Sequence, residues 1–244
     1  MPVFGLLGYP LTHSFSQKYF TEKFSKMHLQ GYAYHNFEIK DIANIKTFLA
    51  GIKGLAGFNI TIPHKKNILA FLDELSPAVT KIKASNCVVI KNGKWIGYNT
   101  DYIGFQQTLT RKLLPLHNRA LVLGNGGAAK AVLYVLELLK IPFTIVSRNP
   151  QDDSQLNYTD LTEHIIAKHT LIINTTPLGT YPQIEEFPPI PYQFLTANHY
   201  LYDLVYNPSP SMFLQKGILA GAITQNGYDM LEIQAEASWE IWNK

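Results

Sequence analysis

A glycine-rich turn in the middle of the chain restricts its fold more than any other feature. Gly124-Asn125-Gly126-Gly127 follows the apolar run 119–123 and precedes the long apolar stretch 128–139, which reads as a helix. In doubly wound α/β sheets, the first glycine of such a turn allows the bend, and the second lets backbone approach a pyrophosphate. The helix that follows offers free N–H groups to the phosphates. The pattern Gly124-x-Gly126-x-x-Ala129 therefore predicts a dinucleotide-binding domain. The alternative is a glycine turn that binds nothing.

The end of the next predicted strand, residues 143–146, indicates which dinucleotide is bound. An Asp or Glu there would hold the ribose 2′-hydroxyl of NAD, whereas an Arg accommodates the 2′-phosphate of NADP. The strand runs into Ser147-Arg148-Asn149, which contains no acid and favours NADP. Asp152 and Asp153 follow closely and would repel a phosphate that they faced, so relaxed use of NAD stays open. The alternative for Arg148 is an ordinary surface charge.

The first hundred residues alternate between strand and helix patterns. Predicted strands cover residues 3–8, 33–39 and 57–62, and predicted helices cover 16–26, 42–49 and 65–72. Residues 87–91 and 94–98 flank Asn92-Gly93, a turn typical of two-residue β-hairpins. This order predicts a largely parallel α/β sheet with one antiparallel hairpin.

The second half of the chain continues this alternation. A linking helix is predicted over 103–114, further strands over 171–174 and 200–205, and an amphipathic helix over 228–242. With the strand–turn–helix unit around Gly124, these elements predict a doubly wound nucleotide domain. The length of 244 residues suits one large domain or two small ones.

Composition and charge exclude several classes of function. The chain has 21 Lys and Arg against 18 Asp and Glu, and the net charge of +3 suits a small anionic ligand rather than nucleic acid. The single cysteine, Cys87, excludes an internal disulfide and a thiolate zinc cluster. The sequence shows no basic leader and no run near the roughly 20 apolar residues of a membrane span. We therefore expect a soluble cytoplasmic protein without nucleic-acid or membrane partners.

Two polar clusters in the first hundred residues point to proton-transfer chemistry. Asn59 and Thr61 lie on one face of a predicted strand, and Lys65 follows just beyond its end. Asn99-Thr100-Asp101 ends the hairpin, and an Asp beside a Lys can hold and tune a proton-transfer group. Read alone, Lys65 is a solvated lysine at a helix start, and Asp101 is the N-cap of the helix that follows.

Short motifs of polar residues and glycines extend over nearly the whole chain. Ser14 and Ser16, which read alone could equally be helix caps, belong to the first of them. In chain order the motifs are Gly8-Tyr9-Pro10 with His13-Ser14-x-Ser16, Asn59-Ile60-Thr61-Ile62-Pro63-x-Lys65, Ser85-Asn86, Asn99-Thr100-Asp101, Gly124-x-Gly126-Gly127-Ala128, Asn174-Thr175-Thr176-Pro177-x-Gly179, Asp203-x-Val205-Tyr206-x-Pro208 and Asn226-Gly227-x-x-Met230-Leu231-x-x-Gln234. In this set and order, the chain resembles the shikimate dehydrogenases.

The resemblance implies reversible reduction of 3-dehydroshikimate to shikimate by NADPH, in aromatic amino acid biosynthesis, with no metal. It implies an α/β fold with two domains around a cleft. Residues 1–102 and a returning C-terminal helix, 227–244, would form the substrate-binding and catalytic domain. Residues 103–226 would form a Rossmann-like NADP-binding domain. Lys65 and Asp101 would be the catalytic pair.

The resemblance also assigns the residues that bind the two ligands. Substrate contacts would be Ser14 and Ser16 at the carboxylate, and Asn59, Thr61, Asn86, Tyr206 and Gln234 around the hydroxyls and ring. Cofactor contacts would be Gly124, Asn125, Gly126, Gly127 and Ala128 at the pyrophosphate, Ser147 and Arg148 at the adenosine phosphate, and Thr175, Thr176, Leu204 and Gly227 towards the nicotinamide. His13 and His64 flank the site and are expected to be structural or solvent-facing.

The chain departs from the family pattern at positions that would contact the cofactor. Lys130 stands where Arg is common, Thr180 replaces the usual Met, and the span 147–171 is short. Two alternatives stay open: a quinate/shikimate dehydrogenase with relaxed use of NAD and NADP, which Asp152 and Asp153 suggest, and a non-catalytic relative that binds a metabolite. The sequence leaves a monomer and a homodimer equally open.

Overall fold

The computed structural model describes residues 1–11 and 15–244, so the predictions for His13 and Ser14 lie outside the described residues. The chain divides into two compact units: Met1–Ile103 with Ile233–Lys244, the first unit, and Gly104–Glu232, the second unit. The predicted domain bounds lie near these, and the assignment of substrate and cofactor to the two units stays a prediction. No helix in the described ranges is long and apolar enough to cross a membrane.

In the described part of the first unit, a six-stranded sheet forms the centre. Its strands are β1 (Val3–Gly8), β2 (Ala33–Glu38), β3 (Gly57–Ile60), β4 (Glu74–Leu75), β5 (Cys87–Lys91) and β6 (Lys94–Tyr98). The order across the sheet is β2-β1-β3-β5-β6-β4. Strands β2, β1 and β3 are parallel, and the β5–β6 hairpin is antiparallel. The parallel sheet with one antiparallel hairpin is confirmed.

Short helices flank this sheet and correct part of the prediction. They are α1 (Phe15–Lys26), α2 (Ile45–Ala50), α3 (Pro77–Ile82) and a 3₁₀ turn, Asn67–Phe71. The strand predicted over 57–62 ends at Ile60, and the helix predicted over 65–72 is only that 3₁₀ turn. Pro63 has no N–H to donate to a ladder, so regular pairing does not continue past it. Lys65 therefore lies in an irregular segment between the strand and the 3₁₀ turn.

Helix α4 (Asp101–Thr110) carries the chain from the first unit into the second. The helix predicted over 103–114 instead begins at Asp101 and ends at Thr110. The side chain of Asn99 accepts the backbone N–H of Tyr102 at 3.3 Å and so takes the capping position. Asp101 is thus not the N-cap, and its carboxylate has other partners.

The described residues of the second unit form a second six-stranded sheet, in which every neighbouring pair is parallel. The strands are β7 (Ala120–Leu123), β8 (Phe143–Val146), β9 (Gln155–Leu156), β10 (Leu171–Asn174), β11 (Tyr200–Asp203) and β12 (Ile223–Gln225), in the order β12-β11-β10-β7-β8-β9. The helices are α5 (Gly127–Leu138), α6 (Glu163–Lys168) and α7 (Met212–Leu219). The doubly wound fold is confirmed.

The strand order of the second unit reverses between β7 and β10. The chain runs from β7 through β8 to β9 on one side, and then returns to β10 on the other. Ligands of open α/β sheets bind outside the carboxyl ends of the strands at such a reversal. Gly124 directly follows β7, and Thr175 directly follows β10. The topology therefore predicts the binding site at these two strand ends.

Helix α8 (Tyr228–Trp242), which has the predicted bounds, ends in the core of the first unit. The ring N–H of Trp242 donates to the carbonyl of Val88 at 2.9 Å, and its ring stacks on Phe4 with centroids 4.5 Å apart. A Cβ atom at Gly57 would lie 2.5 Å from the Trp242 ring nitrogen, so only glycine fits there. The part of α8 from Ile233 onwards is therefore an integral part of the first unit.

Candidate active site

An ion pair between two predicted residues lies in the first unit. Lys65 Nζ is 2.8 Å from Asp101 Oδ2, with side-chain exposures of 22% and 7% respectively. The irregular segment after β3 carries the lysine, and the first turn of α4 carries the carboxylate. A partly buried ammonium has three N–H donors, and the bond to Asp101 uses one. The pair can therefore hold a proton donor next to a substrate while its carboxylate stays fixed.

Asn86 holds the second oxygen of this carboxylate. Its side-chain amide donates to Asp101 Oδ1 at 2.9 Å and to the hydroxyl of Thr100 at 3.0 Å. Its side-chain oxygen accepts the backbone N–H of Thr100 at 2.6 Å. All three side chains are buried. The structure thus brings the predicted residues Lys65, Asn86 and Asp101 into one bonded cluster.

Asn59 joins the same cluster through bonds to the protein. Its amide donates to the backbone carbonyl of Asn86 at 3.2 Å and to the hydroxyl of Ser238 at 2.8 Å, while its oxygen accepts from Tyr34 at 2.9 Å. Both amide hydrogens are thereby used inside the protein. Ser16, in the first turn of α1, hydrogen-bonds with the hydroxyl of Tyr34, whose pKa burial raises. Asn59 and Ser16 thus meet on one tyrosine.

The other predicted residues are placed more loosely. Thr61 donates its backbone N–H to Leu7 at 2.8 Å, and the carbonyl of Gln234 in α8 accepts from Ser238 at 2.9 Å. Tyr206 belongs to the second unit, where burial raises the pKa of its hydroxyl. His64 is buried and its Nε2 lies 2.6 Å from the carbonyl of Ile39, which fits the structural role expected for it.

A cavity of about 380 Å³ lies in the second unit at the predicted strand ends. Seven predicted cofactor residues line it: Gly124, Asn125, Gly126, Ser147, Arg148, Thr175 and Thr176. Six lining residues were not predicted: Asn149, Gln151, Tyr158, Pro177, Leu178 and Pro189. Gly127 and Ala128 begin α5 without lining this cavity. Leu204 and Gly227 lie against each other instead, since a Cβ atom at Gly227 would be 2.2 Å from the Leu204 carbonyl oxygen.

The glycines of the turn fit the approach of a phosphate group. Gly124 has a φ of +103°, and a Cβ atom there would lie 2.8 Å from the hydroxyl of Thr175. At Gly126 and Gly127 a Cβ atom would meet nothing within 4 Å, so there is open space beside the backbone. No side chain caps the N-terminus of α5. Its first N–H groups are therefore available to an anion, as the dinucleotide fingerprint requires.

Arg148 is the charged residue among those that line the cavity, and no carboxylate lines it among the described residues. Asp152 is exposed and accepts the backbone N–H of Ser154 at 2.9 Å as well as its hydroxyl. These two bonds hold the pKa of the Asp152 carboxyl below its usual range. Asp152, whose charge left the use of NAD open, thus bonds within its own turn. The lining of the cavity, with one positive charge and no carboxylate among the described residues, favours an anionic ligand.

A buried carboxylate connects the strand ends beside this cavity. Asp203 Oδ1 accepts from the side chain of Asn174 at 2.9 Å and from the backbone of Val205 at 3.0 Å, and Oδ2 accepts from the hydroxyl of Ser211. Asn174 in turn accepts the hydroxyl of Thr176 at 2.7 Å. Burial raises the pKa of Asp203 to about 6. The motif alone did not reveal this role in holding the strand ends.

Known proteins share both units of this structure. A family profile described as the shikimate dehydrogenase substrate binding domain matches residues 6–88. Shikimate dehydrogenase (NADP(+)) of Desulforamulus reducens is 36% identical over 261 residues, which cover 98% of this chain and 89% of that relative. The enzyme of the same name from Methanococcus maripaludis is 40% identical over 256 residues, covering 98% and 90%. The chain belongs to the shikimate dehydrogenase family.

The shikimate dehydrogenase fold is also seen in solved structures. The crystal structure of shikimate 5-dehydrogenase from Thermus thermophilus, in complex with NADP(H) and shikimate, superposes with a TM-score of 0.87 at 28% identity. The match covers 99% of this chain and 93% of that one. Within the described residues of this shikimate dehydrogenase family member, no three His, Cys, Asp or Glu side chains form a metal-binding group.

Proposed function

We propose that the chain is an NADP-dependent shikimate dehydrogenase, which reduces 3-dehydroshikimate reversibly to shikimate in aromatic amino acid biosynthesis. The observation that carries this proposal is the Lys65–Asp101 pair at 2.8 Å, held from behind by Asn86. Family members named for this activity cover nearly the whole chain, which supports the same substrate. The pair is intact here, which argues against a relative that only binds a metabolite.

Lys65 acts as the proton donor in this proposal. Reduction of a ketone needs a hydride at carbon and a proton at oxygen, and bound NADPH supplies only the hydride. Hydride addition opens the C=O double bond towards oxygen, and Lys65 gives that oxygen its proton, directly or through a water that it positions. In the reverse direction Lys65 takes the proton from the shikimate hydroxyl. Asp101 orients the ammonium and accepts a hydrogen bond from a neighbouring substrate hydroxyl.

The remaining substrate contacts follow from the residues that the family resemblance assigns. Ser14 and Ser16 would bind the carboxylate, and Asn59, Thr61, Asn86, Tyr206 and Gln234 would surround the ring and hydroxyls. Because both amide hydrogens of Asn59 are bonded inside the protein, its oxygen is the atom that could accept from substrate. The primary role of Asn59 in this proposal is therefore to hold Asn86.

The cavity of the second unit would hold the cofactor. The turn from Gly124 to Ala128 and the N-terminus of α5 would bind the pyrophosphate. Ser147 and Arg148 would bind the 2′-phosphate, and Tyr158 lies beside them in the cavity wall. Thr175, Thr176, Leu204 and Gly227 would lie along the nicotinamide half. The same proposal places the enzyme in the cytoplasm, as a monomer or a homodimer.

The initial rate of absorbance change at the nicotinamide band tests the proposal, with shikimate or quinate as substrate and NADP or NAD as cofactor. We expect fast turnover with shikimate and NADP, and kcat/KM at least tenfold lower in the other three combinations. Equal kcat/KM with NAD, or efficient turnover of quinate, would instead show the broader quinate/shikimate dehydrogenase. Shikimate binding by calorimetry without any turnover would show a binding protein and contradict the proposed enzyme.

A further inference from the structure

The hydroxyl of Ser238 on α8 lies where the bonds of the candidate substrate site converge. It accepts the amide of Asn59 at 2.8 Å and donates to the carbonyl of Gln234 at 2.9 Å. It also lies 3.4 Å from the hydroxyl of Thr100. A serine hydroxyl has one hydrogen and two acceptor positions. Because that hydrogen goes to Gln234, Ser238 can only accept in the third contact, and the hydroxyl hydrogen of Thr100 has a second acceptor in the side-chain oxygen of Asn86 at 3.3 Å.

Two separate routes lead from this hydroxyl to Asn86. On one route Asn59 spans the gap, since its second amide hydrogen goes to the backbone carbonyl of Asn86. On the other route Thr100 does so, because its hydroxyl accepts from the side chain of Asn86 at 3.0 Å. Asn86 then bonds Asp101, which faces Lys65. Ser238 thus lies behind both the backbone and the side chain of the residue that orients the catalytic carboxylate.

Ser238 is fully buried, so water cannot replace its hydroxyl from bulk solvent. An alanine in its place would leave one amide hydrogen of Asn59 without its acceptor, inside the protein. Asn59 would then have to turn towards another acceptor, which weakens its hold on Asn86. If the Asp101 carboxylate moves by a fraction of an ångström, the orientation of the Lys65 ammonium changes. Proton transfer is sensitive to that orientation.

We propose that Ser238 is a positioning residue of the shikimate site, which holds Asn59, Thr100 and Gln234 in register so that Asn86 orients Asp101. This inference rests on the proposed function, because the pair that it supports is the proposed acid–base pair. Ser238 touches neither substrate nor cofactor in this scheme. Its effect should therefore appear in the shikimate step and leave the binding of NADP unchanged.

The variant Ser238→Ala tests the proposal by steady-state kinetics with each ligand varied in turn. We expect kcat/KM for shikimate to fall roughly tenfold and KM for NADP to stay within about twofold. Ser76→Ala is the matched control, because Ser76 caps α3 in the same unit, accepting the N–H of Val79 at 3.4 Å. The control should lower Tm without changing kcat/KM. If Ser238→Ala does not fold, Ser238→Cys replaces it, with a smaller loss in the same parameter.

A double variant with Thr100→Val separates positioning from general damage. Both residues act through Asn86. The loss of kcat/KM for shikimate in Ser238→Ala/Thr100→Val should therefore approach the loss in the worse single variant, rather than the product of the two single losses. Three results would each overturn the inference. They are losses of kcat/KM that multiply in the double variant, a rise in KM for NADP as large as the loss of kcat/KM for shikimate, and an unchanged kcat/KM in Ser238→Ala. The wild-type assay keeps the two claims apart. If the wild type shows no turnover, both the proposed function and the inference are refuted. If the wild type turns over fully and Ser238→Ala is unaffected, the inference alone is refuted.

Discussion

Asn174 donates a side-chain hydrogen bond of 2.9 Å to Asp203, and these two residues end the neighbouring parallel strands β10 and β11. Every bond that the carboxylate accepts from Asn174, Val205 and Ser211 stabilises its charged form. Burial nevertheless dominates and raises its pKa to about 6. The strand ends beside the cavity of the second unit are thus held by a group that titrates near neutral pH.

The Asp203 carboxyl should make stability depend on pH. Its pKa of about 6 in the folded protein exceeds the ordinary value of about 3.9 that applies in the unfolded chain. The folded state therefore binds the proton more tightly, and the stabilisation is full below about pH 4 and is lost as pH rises to about 6. The free energy of unfolding of wild type minus that of Asp203→Asn should fall by about 2–3 kcal/mol between pH 4 and pH 7, measured with urea.

The comparison of wild type with Asp203→Asn is needed because two buried histidines change the free energy of unfolding with pH in the opposite direction. Burial lowers the pKa of His117 and of His169, so protonation below about pH 6.5 favours the unfolded chain. Their contribution to stability rises with pH through the same window. Both histidines are present in wild type and in Asp203→Asn, so their effect cancels. A difference that stays constant from pH 4 to pH 7 would contradict the raised pKa of Asp203.

Lys65→Ala should lower kcat by about 10²-fold or more, because a positioned general acid–base group contributes on that scale. The effect on KM should be smaller, since the ammonium acts on the transition state more than on the bound substrate. The neighbouring exposed residue supplies a matched control: Lys66→Ala removes the same charge one position away and should keep wild-type rates. Stopped-flow or steady-state absorbance at the nicotinamide band measures both. Equal kcat in Lys65→Ala and wild type would end its assignment as proton donor.

Arg148→Ala should weaken binding of NADP roughly ten- to a hundredfold, the range for loss of one hydrogen bond to a charged group. NAD lacks the 2′-phosphate, so its affinity should change little. Lys168→Ala, an exposed cation of the same unit outside the cavity wall, serves as the control. Calorimetric titration of each variant with both dinucleotides provides the comparison. Equal losses for NADP and NAD would show that Arg148 contacts another part of the cofactor.

Trp242→Ala should lower the free energy of unfolding by about 3–5 kcal/mol, as removal of a buried aromatic side chain does. Trp242→Phe keeps most of the packing against Phe4 and loses the bond to the Val88 carbonyl, so it should cost about 1–3 kcal/mol. Urea denaturation followed by circular dichroism measures both. Trp239→Phe, on the same helix and only partly buried, should cost less than Trp242→Phe. The reverse order would show that α8 docks mainly through its outer face.

Local signals predicted the elements that depend on local geometry. The hairpin bounds are confirmed because Asn92 and Gly93 both have positive φ, 51° and 77°, the conformation that the Asn-Gly pair favours. Helices α3, α6 and α7 were missed, since six to eight residues give too few turns for an apolar period to be recognised. Their caps Ser76, Thr162 and Ser211 were nevertheless present as signals in the sequence.

The candidate site likewise contains residues that the sequence predicted and contacts that it did not. The family resemblance paired Lys65 with Asp101, and in the structure the two side chains are bonded. The bond from Asn59 to Ser238 joins residues 179 positions apart, and no periodicity could predict it. Tyr158 lines the cavity of the second unit from a 3₁₀ turn that follows the two-residue strand β9. Such contacts arise from tertiary packing, which one sequence read along its length does not contain.

The position of Trp242 in the first unit affects the order in which the molecule can be built. It is synthesised 154 residues after Val88, to whose carbonyl it bonds. The second unit is one continuous stretch, Gly104–Glu232, so all of it is synthesised before Trp242 is added to the core of the first unit. Because domains generally fold as units during synthesis, the second can finish first. The unit whose translation starts earliest is thus the last to be completed, and a ribosome stalled late would leave its aromatic core open to water.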